Sequence, residues 1–125
     1  MISSIRGAIT LSHDSKDQVI DRTKLLLETM LERNGVSNQD VISVFFTATS
    51  DINSVAPAAG ARALGLMAPG LLCAQEMEVP GSLPLCIRCF VHVGTNTPQG
   101  DIEHVFLGEA ATLRPDQVRP GDGEL

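Results

Sequence analysis

The amino-acid sequence predicts an α+β domain: a mixed sheet of about five strands with two helices on one face. Three observations predict it. Residues 15–34 carry apolar side chains at three-to-four spacing, the period of a helix with one buried face. Several short runs rich in β-branched and aromatic residues, bounded by Gly, Pro and Asn, read as strands. The long helix stands between the first two of these runs, so it connects strands instead of joining a bundle. At 125 residues the chain is one domain, with residues 1–115 as its body and residues 116–125 as a tail.

The elements follow in order. Ile2 to Leu11 is a first strand, with Gly7 at a point of close backbone approach. Ser15-Lys16-Asp17-Gln18 has the pattern of a capping box. Val19, Ile20, Thr23, Leu26, Leu27, Met30 and Leu31 then form the apolar stripe, which Asn34-Gly35 stops. Ser37 to Asp40 is a turn, and Val41 to Thr49 a strand. Pro57 suits the first turn of a short helix that Gly65 closes. Leu71 to Met77 is a short strand, and Leu85 to Gly94 the most strand-like run of all. Thr97 to Asp101 is a turn. His104 to Thr112 is expected to run extended, with Gly108 as a bulge. The tail has no core-forming residues and is expected to be mobile. One face of the sheet is left without a cover from this chain, and self-association is the simplest cover.

Composition narrows the function. A net charge of −6 without any Lys/Arg run argues against nucleic acid, and no stretch is fit to span a membrane. Both lysines, Lys16 and Lys24, lie in the long helix, whereas Arg6, Arg62, Arg88, Arg114 and Arg119 lie outside it. Arginine offers a planar fork suited to carboxylates and phosphates, so the pattern is compatible with a small multivalent anion. Arg88 is the sharpest case, since an unpaired charge inside a strand costs several kcal/mol. It must face water, pair with an acid or await an anionic ligand. Glu76, in the neighbouring apolar stretch, is a candidate partner for a ligand-reading pocket.

Other chemistries find little support. Cys86-Ile87-Arg88-Cys89 spells C-x-x-C, but residues three apart in a strand point to opposite faces, too far for a disulfide. His13, His92 and His104 supply no second ligand pair for zinc. There is no phosphate loop, dinucleotide fingerprint or nucleophile beside a base, so neither cofactor nor metal is expected. An odd number of cysteines and no secretory pattern favour a reducing cytoplasm. A chemistry without protons, metals or covalent intermediates fits this inventory.

Six segments in order carry a resemblance: Ile5-Arg6-Gly7-Ala8-Ile9-Thr10, Pro57-Ala58 with Arg62, Cys73-Ala74-Gln75-Glu76-Met77, Cys86-Ile87-Arg88, His104-Val105-Phe106-Leu107, and Leu113-Arg114-Pro115-Asp116. Together they resemble the monofunctional chorismate mutases of the Bacillus type, from about Ile5 to Asp116. The resemblance implies a homotrimeric pseudo-barrel of the fold shared with reactive-imine deaminases, with active sites between subunits. It also implies the [3,3] rearrangement of chorismate to prephenate on the route to phenylalanine and tyrosine. By resemblance, Arg88 donates to the breaking ether oxygen, Arg6 clamps a carboxylate, Glu76 accepts from the ring hydroxyl and Cys73 lies near that hydroxyl. Arg62 from the neighbouring subunit adds positive field. Ala58, Leu72 and Phe106 line the substrate, and Leu113 and Arg114 match a tail segment that partly covers the cleft.

Three departures stand out. Ala56 and Phe106 replace aromatic and tyrosine residues frequent in the family, and Ala59 replaces an occasional lysine. Each weakens binding more than chemistry, so a raised KM with a retained kcat is expected. Two alternatives stay open on the residues alone. One is a deaminase of reactive enamines or imines, which shares the trimer and an interface arginine. The other is a non-catalytic trimeric binder of aromatic-pathway metabolites.

Overall fold

A computed structural model describes residues 1–125. The strands are β1 (Ile2–Thr10), β2 (Val41–Ala48), β3 (Gly70–Gln75), β4 (Cys86–Gly94) and β5 (Val105–Leu107), and the helices α1 (Lys16–Arg33) and α2 (Ala58–Ala63). They form one sheet in the order β3-β2-β4-β1-β5. β4 runs antiparallel to both β1 and β2, while β3 and β5 pair in parallel with β2 and β1. The predicted α+β class and its mixed sheet are thus present.

α1 forms where the periodicity places it. Ser15 Oγ accepts from the Gln18 N–H at 3.1 Å, and the Gln18 side chain turns back to accept from the Ser12 N–H at 2.8 Å. Val19, Thr23, Leu26, Leu27, Met30 and Leu31 are buried along its inner face. Gly35, at φ 63°, ends the helix in the left-handed region. Each fully buried Leu or Met contributes about 2 kcal/mol by leaving water. The helix lies so close to β1 that a Cβ on Gly7 would come within 2.5 Å of Met30 Sδ. A similar approach brings α2 onto α1, where a Cβ on Gly60 would stand 2.5 Å from Thr23 Cβ. One continuous core therefore joins both helices to Ile5, Ile9, Val44, Phe46, Ile87, Cys89, Val91 and Val93 of the sheet.

Alternation along β4 sorts its side chains as expected. Ile87, Cys89, Val91 and Val93 are buried toward the helices, and Arg88, Phe90 and His92 take the other face. That face is open, with Phe45, Leu72 and Phe90 exposed on it. The expected extended run from His104 to Thr112 is corrected. β5 stops at Leu107, and Gly108–Thr112 coils into a 3₁₀ turn. Gly108 takes φ 65° and gives its N–H to Asp122 O, which ends the strand pairing. The tail has no apolar core residue, and polar groups dock it. Asp122 is buried and receives Arg33 Nη1 and Nη2 at 3.0 and 2.6 Å, and Arg119 pairs with Glu103.

Candidate active site

Arg88 stands at the middle of the sheet. Its backbone is bonded on both sides, opposite Ala8 of β1 and Thr47 of β2. Glu76 follows β3 directly, held there by its N–H on Ala48 O at 2.9 Å. The two side chains meet on the open face, with Arg88 Nε 2.9 Å from Glu76 Oε1. The contact is an ion pair without a good hydrogen bond, because the buried Nε–H is not aimed at that oxygen and finds no acceptor. A buried donor left open in this way is costly.

A cavity of about 280 Å³ opens over this pair. Arg6, Glu76, Arg88 and Phe106 line it together with Phe45, Thr47 and Phe90. Its size lies just under the usual small-ligand range of about 300–1,000 Å³. Phe106 forms a buried wall next to Ala8, to which β5 pairs it. Arg6 is exposed at the rim and its guanidinium has no ion-pair partner within the chain. Its backbone N–H donates to His104 Nδ1 at 2.9 Å, which places any ring proton of the neutral form on Nε2. Burial, followed by the nearby Arg6 and Arg114 charges, lowers the His104 pKa, so this imidazole stays neutral at neutral pH. The cavity thus has cations at two points, one carboxylate, aromatic walls and no free proton carrier inside.

Six residues expected at the site do not line this cavity. Cys73 is half-buried and packs toward the helix-side core, and Leu72 is exposed on the open face. Ala58 is buried at the start of α2, while Arg62 on the same helix is exposed. Leu113 packs over the small cluster of Ala8, Cys86, Phe106 and Ala110. Arg114 makes a two-pronged pair with Asp116, at 3.0 and 2.9 Å, which holds the Asp116 pKa down at about 2. Cys86 and Cys89 are separate free thiols; burial raises the Cys86 pKa to about 11 and drives that of Cys89 higher still. Phe45 and Thr47 were not foreseen in the cavity. Both alternate along β2 in step with Arg88 and Phe90, but only the β2–β4 register reveals it.

Fold and site together define an α+β protein with a sheet-borne cleft that holds two arginines and a carboxylate. A family model described as chorismate mutase type I matches residues 2–117, so the chain belongs to the chorismate mutase type I family, an isomerase family. Chorismate mutase AroH of Thermus thermophilus is 45% identical over 117 residues, 93% of this chain and 96% of that protein. Chorismate mutase AroH of Bacillus subtilis (strain 168) is 41% identical over 126 residues, 100% of this chain and 99% of that one. The solved chorismate mutase of Clostridium thermocellum superposes with a TM-score of 0.85 at 42% identity, covering 87% of this chain and 97% of its own. These findings favour the mutase over the deaminase and over the non-catalytic binder. No helix is long and apolar enough to cross a membrane.

Proposed function

We propose that the chain rearranges chorismate to prephenate in a cleft that a neighbouring subunit of a homotrimer completes. The observation that carries this reading is Arg88, a guanidinium ion-paired but without a hydrogen bond, on the wall of a cavity it shares with Arg6 and Glu76. The reaction needs no proton transfer. It needs a flexible dianion held in a compact diaxial conformer, and stabilisation of negative charge as it grows on the ether oxygen. Arg6 holds a substrate carboxylate at the rim. Arg88 donates to the ether oxygen as the C–O bond breaks, a contact stronger in the transition state than in the ground state. Glu76 accepts from the ring hydroxyl, and Phe106 covers the carbon framework.

The partner subunit supplies a further cation. Arg62 lies exposed on α2, while Leu72 on β3 is the direct register partner of the cavity-lining Phe45. A neighbour's Arg62 reaches the entrance of the cleft and adds positive field there. The exposed Phe45, Leu72 and Phe90 on the open sheet face support such an assembly. Residues 1–115 are the catalytic domain in this scheme, with Leu113 and Arg114 partly covering the cleft and 116–125 as tail. Three free thiols agree with a cytoplasmic location.

The test is direct. Purified protein given chorismate is expected to form prephenate and to sediment as a trimer. Persistence of chorismate with an intact fold would end the proposal, and a monomer with full activity would end its trimeric part.

A further inference from the structure

Thr47 has no part in the scheme above, yet it touches the acid at its centre. It lies on β2 directly across from Arg88, half-buried on the cavity wall. Its Oγ1 donates to Glu76 Oε1 at 2.9 Å. The same oxygen lies 2.9 Å from Arg88 Nε. The other oxygen, Oε2, receives only the Met77 N–H, at 3.2 Å. Each oxygen thus accepts one hydrogen bond, but Oε1 also faces the Arg88 charge, so Oε2 is the one that keeps capacity for a ligand hydroxyl.

We propose that Thr47 is a positioning residue for Glu76. Its hydroxyl fixes the rotation of the carboxylate, so that Oε2 is the oxygen offered to the substrate. It also holds Oε1 where Arg88 meets it through Nε alone. Carboxylates and guanidinium groups left to themselves favour a two-pronged fork, as Arg33 and Asp122 form elsewhere in this chain. Such a fork at the site would tie up the donors that the ether oxygen requires. Thr47 acts here on the mutase reaction proposed above, on which its role rests.

A purely structural role is the competing explanation, because threonine is a good strand former on its own account. The substitution Thr47→Val separates the two. Valine keeps the β-branched shape and removes only the hydroxyl, so a structural residue would tolerate it without loss of turnover. We expect Thr47→Val to melt like the wild type and to lose about tenfold in kcat, the scale of one hydrogen bond to a charged group. A smaller change in KM should accompany it, and Thr47→Ser should restore the rate. In a Glu76→Ala background, Thr47→Val should have no further effect, since its influence passes through Glu76. A crystal structure of Thr47→Val should show Glu76 turned into a fork with Arg88. Unchanged kcat in Thr47→Val, or a tenfold loss that persists on top of Glu76→Ala, would overturn the assignment. If Thr47→Val does not fold, Thr47→Ala carries the same comparison. Wild-type protein inert toward chorismate would remove the reaction itself, and is measured first.

Discussion

Two arginine–carboxylate pairs in this protein are built to opposite ends. Arg33 and Asp122 meet through both oxygens and both terminal nitrogens, with side chains only 15% and 4% exposed. Asp122 also receives the Arg119 N–H at 2.8 Å. Arg88 and Glu76 are 35% and 24% exposed and touch at one nitrogen, whose hydrogen is not directed at the acceptor. The first pair is saturated, so it can only hold the tail against α1. The second is kept short of saturation by its geometry and faces a cavity. Saturation separates the pair that docks the tail from the pair that faces the cavity, and in the proposed mechanism the unsaturated one receives the substrate.

The largest expected effect comes from emptying the unsaturated pair. Arg88→Ala, or a neutral isostere of arginine, should lower kcat at least ~10²-fold, the cost of one lost transition-state donor. Near-normal turnover in a folded variant would erase the contrast between the pairs. The saturated pair should answer in stability instead. Asp122→Asn should cost about 2 kcal/mol with kcat preserved, since it removes a charge from several hydrogen bonds. Denaturant unfolding and steady-state rates, measured side by side, read this out. Hydrogen bonds from Arg33 hold the Asp122 pKa below its usual value. The sign follows: this contribution is complete above the unfolded pKa of about 3.9 and fades as pH falls through the folded value. The wild type should therefore lose its stability advantage over Asp122→Asn in acid.

Smaller effects sharpen the picture. Phe106→Tyr should lower KM severalfold and leave kcat nearly alone, because a hydroxyl on the cavity wall adds ground-state and transition-state contacts alike. A fall in kcat would place residue 106 in the chemistry. Thr23 Oγ1 is buried without a partner, like Arg88 Nε, but lines no cavity and carries no charge. Thr23→Val should thus be neutral or stabilising by up to about 1 kcal/mol, as judged by melting. No change at all is expected from pH in one respect: kcat should be flat from about pH 6 to 9, since no group carries protons to the substrate.

Much of this was legible in the sequence because it is local. The α1 stripe, its Ser15 cap and Gly35 stop, and the two faces of β4 follow from periods of 3.6 and 2. Arg6, Glu76, Arg88 and Phe106 were legible as site residues through the resemblance, and the structure brings those four to one cavity. What stayed hidden depends on distant partners. The end of β5 at Leu107 hangs on a bond from Gly108 to Asp122, and Asp122 is held by Arg33, 89 residues away. No periodicity announces such a contact, and a tail poor in apolar residues gave no hint of it. Thr47 escaped for the same reason, since only the register between β2 and β4 sets it beside Arg88.

The placement of the two charged partners on the sheet has a dynamic consequence. Arg88 rides on the central strand, laced to a neighbour on each side, whereas Glu76 follows the outermost strand β3. Breathing of a sheet begins at its margins, so amide exchange should be slow around residue 88 and fast around residue 76. The cation is then a fixed anchor and the acid a hinged one, and substrates that differ at the hydroxyl end should be tolerated better than those that differ at the ether.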